Sequence, residues 1–415
     1  MARLAALVDS LSREVTRLRE VGQQDEADDA LARLRAAASA AATAGGQPSA
    51  AAGAEDPEFV GRQRSLQLLN PEISVNTDGF AQVNKDAIGE DNFFMRAFEI
   101  AIISNLDPFS RAKIFLVRDQ EGGDIVPFER ARREDEEAAS FVVEEGYVEW
   151  VALPAGIGLK LGRFFHQFGQ LNRWHQHALP IQSRSLAHIA FMGREPLGGT
   201  GASVHWLLPV GGGSGTYETT WEIARKENGN LFGEASGVSV LGHLNAFWNL
   251  SSSTDFDLGL SWMHGSYVDA ENSGSRDLYG AEMALAWRPP GRSRYRGFTL
   301  RGGVMAMSGL ISGVTPPPGS AAPLLRARAL GWWTSGELRL SRSWLAGGRV
   351  DRVENPEDTS ETAWAVSPTL TWWQSEYVRL RVEYDVLGRS SLTTNEGRLF
   401  FQVTFAMGPH KHETY

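Results

Sequence analysis

Nine of the residues are histidines, and their spacing points to chemistry more than their number does. His175-Gln176-His177 and His410-Lys411-His412 share the pattern His-x-His. In an extended segment, residues two apart project to the same side, so each pair offers two imidazoles to one ligand. Two neutral imidazoles can begin a zinc site that a carboxylate or a third histidine completes. His166 stands close to the first pair, and Glu413 follows the second. The first pair also lies in a basic stretch between Gln170 and Gly199 that holds Arg173, His175, His177, Arg184, His188 and Arg194. Cationic groups ringing a narrow passage favour anions. A nucleophilic reading has less behind it. Ser203 with His205 and Ser261 with His264 are the candidate pairs, but neither sits in a nucleophile-elbow sequence or beside an obvious oxyanion donor, so no enzymatic activity is expected. Gly211-Gly212-Gly213-Ser214-Gly215 lacks the lysine and following helix of a phosphate loop and reads as a turn.

The elements that must position these residues are strands. Val378 to Val386 places every apolar side chain on one face and every charged one on the other. Roughly sixteen runs of this kind follow Asn70, each about 9 to 12 residues long, the length of a tilted strand crossing a bilayer. The apolar faces include Phe98, Ile100 and Ile102; Ala112, Ile114 and Leu116; Val148, Trp150 and Ala152; and Ile157, Leu159 and Leu161. Further on come Leu244, Ala246, Trp248 and Leu250; Phe256, Leu258, Leu260 and Trp262; Tyr279 to Trp287; and Phe298 to Val304. The last run carries Leu399, Phe401, Val403, Phe405 and Met407. Apolar, aromatic-rich faces alternating with charged, Gly/Ser/Thr-rich ones suit lipid outside and water inside.

Short connections (Asn105 to Phe109, Pro154 to Gly156, Val210 to Ser214, Ser251 to Asp255, Ser341 to Ser343, Gln374 to Tyr377) alternate with long ones (Arg118 to Ser140, Gln170 to Gly199, Arg225 to Ser239, Gly309 to Arg328, Asp351 to Thr362). Short turns at one rim and long loops at the other are the pattern of an outer-membrane barrel. The expected fold is all-β: a transmembrane antiparallel β-barrel of about 16 strands, wide enough to leave an aqueous lumen. Lumen-facing candidates are Glu149, Lys160, Glu218, Glu222, Asp257, Glu282, Arg301, Glu337, Arg339, Arg379, Arg381, Glu383 and Asp385. With both signs present, the expected result is a transverse field and no named permeant ion.

Composition agrees. The chain has 415 residues and a formal net charge of −10, with a mean hydropathy of −0.26. No apolar stretch is long enough for a membrane helix, and a barrel conceals its lipid contact in alternate positions. There are 44 glycines, 13 tryptophans and no cysteine, which suits tight turns, interfacial aromatics and an oxidising compartment. Net acidity and the lack of a basic stripe argue against a nucleic-acid partner. Residues 1–38 read as a helical coiled-coil segment, with Leu4, Val8, Leu11, Val15 and Leu18 on a short heptad seam. Residues 39–69 read as a flexible Ala/Gly/Pro linker, and 70–415 as the barrel. Met1 is not followed by the charged and apolar regions of a secretory signal, so the exported chain is expected to have a different start.

Asn70-Pro-Glu-Ile-Ser-Val, Asp107-Pro-Phe-Ser-Arg, Gly146-Tyr-Val-Glu, Leu161-Gly-Arg-Phe-Phe, Phe168-Gly-Gln-Leu-Asn, His175-Gln-His-Ala-Leu-Pro and Phe191-Met-Gly-Arg-Glu form an ordered series of blocks. The series resembles a bacterial outer-membrane group often labelled zinc-regulated TonB-dependent receptors, which is similar to the phosphate-selective porin O and P family. The resemblance spans Asn70 to Tyr415 and is most specific from Tyr147 to Pro209. It implies an outer-membrane, porin-like barrel without a plug domain, commonly a homotrimer. In sixteen-stranded porins the third long loop folds inward and narrows the channel; here that loop is Gln170 to Gly199. The expected function is passive diffusion of small hydrophilic solutes or ions across a lipid bilayer, with no cofactor. The alternative is a receptor or uptake component that binds zinc or an anion at the extracellular face.

Overall fold

The computed structural model describes residues 71–85, 92–119, 125–128, 141–210, 215–269, 273–310 and 326–408. The helical reading of 1–38, the linker over 39–69, the glycine turn at 211–214 and the His410/His412 pair lie outside the described residues. Sixteen strands follow one another: β1 Glu72–Asn84, β2 Asn92–Asn105, β3 Ser110–Asp119, β4 Val142–Leu153, β5 Ile157–Phe165, β6 Gly198–Leu207, β7 Gly215–Arg225 and β8 Val238–Ser251. The second half comprises β9 Thr254–Val268, β10 Ser273–Trp287, β11 Gly297–Leu310, β12 Arg326–Arg339, β13 Trp344–Glu354, β14 Thr362–Trp373, β15 Val378–Arg389 and β16 Glu396–Met407. Among the described residues, two short helices, α1 Leu186–Met192 and α2 Gly229–Phe232, lie in the connections.

Every strand pairs antiparallel with its sequence neighbours, and β1 pairs with β16, from Val75 opposite Met407 to Asn84 opposite Arg398. The sheet is therefore closed, and no strand edge is left open for pairing with another chain. Alternation fixes which face is outside, because a one-residue slip would send every side chain to the other face. On β15, Arg379, Arg381, Glu383 and Asp385 are buried inward while Val382 and Tyr384 stand on the outer surface. On β16, Phe400, Gln402 and Thr404 point in, and Phe401, Val403 and Phe405 point out.

The outer face ends in aromatic residues at the short-turn rim. Trp206 lies opposite the first residue of β5, Trp248 opposite the first of β7, Trp287 opposite the first of β9, and Trp344 opposite Trp372. Amphipathic indoles at that level are what a membrane–water interface favours. The turns themselves are built locally. Asp107 Oδ1 accepts from the Phe109 and Ser110 amides at 2.8 and 2.7 Å, and its Oδ2 accepts from Ser110 Oγ at 2.8 Å, which closes the β2–β3 link. The β8–β9 link is tighter than the sequence suggests, since the strands run on to Ser251 and from Thr254.

The interior departs from the sequence expectation. Its loop-side half holds a hydrophobic core beneath part of the wall. Phe168, Leu186, Ala187, Phe191, Met192, Leu231 and Phe232 from the connections pack with Ile125 and Phe128. They meet inward-facing Leu241 on β8, Met263 on β9, Leu278 on β10, Met305 and Met307 on β11, Val353 on β13 and Leu387 on β15. These inward apolar positions are dry because protein, not water, covers them.

Candidate functional site in the barrel interior

The segment from His166 to Leu197, between β5 and β6, turns into the barrel and is bonded to the wall on most of its sides. Asn172 closes its neck: Nδ2 donates to the carbonyls of His166 and Leu197 at 2.8 and 2.9 Å, and Oδ1 accepts from the Leu197 amide at 2.7 Å. At the entry, the Gly169 and Gln170 amides donate to Ser261 Oγ and Glu282 Oε2 at 3.1 and 2.7 Å. Gly169 has φ 66°, and a Cβ there would sit 2.4 Å from the Glu282 carboxylate, so the close approach needs glycine.

The far side of the loop rests on charges of the wall. Arg379 Nη2 donates to the His177 carbonyl at 2.6 Å, and Arg381 Nη2 to the Leu179 carbonyl at 3.1 Å. Glu383 Oε2 accepts from the Gln182 amide at 2.9 Å. Arg349, paired with Asp351 at 2.5 Å, donates to Ser183 Oγ at 3.1 Å, and Asp351 accepts from the Leu186 amide at 3.2 Å. Loops carry unpaired backbone groups, and a buried loop must satisfy them. These wall charges do so. Of the expected lumen residues, Arg379, Arg381 and Glu383 therefore hold the loop and are buried. Lys160 and Arg301 remain partly exposed: Lys160 Nζ lies 4.5 Å from the Tyr147 ring centre, and Arg301 donates to Glu337 at 2.7 Å. Arg339 is also partly exposed, at the short-turn rim.

The six basic residues of the loop go to different places. Arg184 turns back into the loop, donating to the Leu171 and Trp174 carbonyls at 2.7 Å each. His188 is on α1, fully buried, with Nδ1 2.7 Å from Ser185 Oγ. Burial, then the nearby Arg184 and Arg349, push its pKa down to about 3, so it is neutral. Arg194 is half-buried near the neck. Arg173 is half-buried as well; burial pulls its pKa down, against the pull of Glu218, Asp257, Glu282 and Glu222. His175 and His177 come together, their rings stacked with centres 5.9 Å apart.

Around that pair stand three carboxylates that sequence reasoning missed. His175 Nδ1 lies 3.0 Å from Glu99 Oε2 and 2.9 Å from Glu144 Oε2, and Nε2 lies 3.3 Å from Glu145 Oε2. His177 Nδ1 is 3.6 Å from Glu99 Oε2. Burial opposes a charge on His175, but these carboxylates hold its pKa well above the ordinary histidine range. The one available signal was Glu99 itself, a lone charge in the otherwise apolar run Phe98-Glu-Ile-Ala-Ile. Of the serine–histidine candidates, Ser261 and His264 separate by parity, whereas Ser203 and His205 share the inner face of β6. Ser261 points inward and His264 outward on β9, where His264 meets Asp277 at 2.9 Å. Ser203 Oγ donates to Glu222, which also binds His166 at 2.6 Å.

This architecture is similar to that of solved outer-membrane proteins. An anion-selective porin from Comamonas acidovorans matches with a TM-score of 0.54 at 10% identity, over 81% of this chain and 99% of that one. OprB from Pseudomonas putida matches at 0.54 and 10%, over 84% and 97%. OmpT of Vibrio cholerae in its trimer form matches at 0.50 and 7%, over 81% and 99%. At such identities the likeness shows the fold alone. An uncharacterized protein of Aquifex aeolicus is 24% identical over 310 residues, 65% of this chain and 62% of that one, so the chain spans less than two thirds of this relative. No family model matches the chain.

Proposed function

We propose that this protein is an outer-membrane channel for the passive diffusion of small hydrophilic solutes. One observation carries the reading: the barrel is closed, its outer face is an apolar belt ending in tryptophans, and most of the charges on its strands point inward. Hydrocarbon suits such a belt, because the closed sheet pairs the backbone of each strand with both of its neighbours. The solved neighbours with this fold are outer-membrane proteins, one of them an anion-selective porin.

In the short-turn half, the passage is lined by Lys160, Glu218, Asp257, Arg301, Glu337 and Arg339. The loop from His166 to Leu197 narrows it, resting on β13 and β15 through Arg349, Asp351, Arg379, Arg381 and Glu383, with His175 and His177 against β2 and β4 and Arg173 toward β7, β9 and β10. Arg173, set among Glu218, Asp257 and Glu282, is the cationic group that most biases ion passage there, whereas Arg184 and His188 shape the loop. No covalent step is required. Reconstitution into planar bilayers tests the reading: a channel gives stable, ohmic conductance steps. A folded barrel that inserts and conducts nothing is a closed receptor or a scaffold, and the proposal fails.

A further inference from the structure

We propose that Glu99, Glu144 and His175 form a binding site for a divalent transition metal of the zinc class, bridging the infolded loop to β2 and β4. The donor set is one imidazole and two carboxylates, three protein ligands that zinc takes with a water in the fourth position of a tetrahedron. With metal–ligand bonds of about 2.0 to 2.2 Å, neighbouring ligand atoms in a tetrahedron stand about 3.3 to 3.5 Å apart. His175 Nδ1 stands 2.9 Å from Glu144 Oε2 and 3.0 Å from Glu99 Oε2, hydrogen-bond separations that open slightly to admit an ion, and His177 Nδ1 lies 3.6 Å from Glu99 Oε2 at the edge of the site. Donor atoms of Glu99, Glu144 and His175 all fall within 4.8 Å of one another.

A second, independent feature is the support around these ligands. Metal-binding histidines present their other ring nitrogen to a carboxylate or carbonyl, and the ligand carboxylates are hydrogen-bonded in turn. Here His175 Nε2 faces Glu145 Oε2 at 3.3 Å, and Glu145 Oε1 accepts from the Phe165 amide at 2.9 Å. Glu99 Oε1 accepts from Asn76 Nδ2 at 2.8 Å, leaving Oε2 toward the histidines. Phe115 stacks on the His175 ring at 4.5 Å, and Arg379 holds the His177 backbone. The His175 and Glu144 side chains each keep 14% of their surface exposed, so an ion can reach them. The negative charge of three carboxylates gathered here favours a dication.

The test uses the refolded full chain in detergent, stripped with chelator and titrated with zinc chloride by calorimetry and with cobalt(II) by visible absorption. The expected results are a saturable site and the intense absorption of tetrahedral cobalt. His175→Ala and Glu99→Gln should weaken binding at least tenfold, Glu145→Gln about 10- to 100-fold through orientation, and His205→Gln should leave it unchanged. X-ray absorption of the zinc-loaded wild type should show one imidazole with oxygen ligands, a readout that needs no variant to fold. Wild-type chain that takes up no zinc, or binding that persists in both His175→Ala and Glu99→Gln, as it would if His410 and His412 held the ion, overturns the site. The measurement needs no bilayer, so its failure is separate from that of the channel reading.

Discussion

Asp78 on β1 and Arg96 on β2 form an ion pair buried at the point where the barrel closes. Asp78 also accepts from Gln402 Nε2 and Thr404 Oγ1 of β16, each at 2.9 Å, while Arg96 donates to the carbonyl of Gln182 in the loop. One pair thus ties the last strand to the first and the loop to both.

Removing one partner of such a pair leaves a buried, uncompensated charge. Asp78→Ala is expected to destabilise the folded barrel by about 3 to 5 kcal/mol. Urea unfolding followed by tryptophan fluorescence, and the heat-dependent shift on gels, measure it. A midpoint within error of the wild type would show that the seam does not depend on this pair.

Arg173→Glu should move the reversal potential under a salt gradient toward cations, because it adds a carboxylate to those of Glu218 and Asp257. Arg184→Gln should act differently. Its guanidinium braces the Leu171 and Trp174 carbonyls, so unstable, noisy conductance is expected with little change in selectivity.

His188 makes stability depend on pH. Its pKa falls from an ordinary 6.5 to about 3 in the fold, so between these values the unfolded chain binds a proton that the folded chain refuses. Stability from this group is fully present above pH 6.5 and is lost as pH falls toward 3, on the order of 4 kcal/mol at the acid end. The groups facing it are Glu282 on β10, 3.7 Å away, Arg184 in the loop, and Arg349 on β13. Denaturation midpoints between pH 7 and 4 should fall for the wild type and fall less for His188→Asn.

Phe191→Ala removes a fully buried ring of α1 from the core against the wall. A cost of about 3 to 5 kcal/mol is expected, and because that core holds the loop down, larger and more variable conductance steps should accompany it. Gly169→Ala should produce a similar loosening at the neck, since its methyl group meets the Glu282 carboxylate.

The barrel was legible in the linear order of residues. Arg379, Arg381, Glu383 and Asp385 alternating with Val382 and Tyr384 define two faces whatever else the chain does, because strand geometry has a period of two. The same parity assigns Ser261 and His264 to opposite faces. What alternation leaves open is the material that covers a face. Leu241, Met263 and Leu278 occupy inward positions, and only the arrival of Phe191 and Phe232 from distant connections makes those positions a dry core. His175 meets Glu99 and Glu144 for the same reason. Their encounter depends on the infolding of the loop and on barrel register, which bring together groups far apart along the chain. Local periodicity determined the cylinder, and tertiary packing decided what fills it, because periodicity describes each strand alone while burial and charge pairing belong to whatever stands opposite.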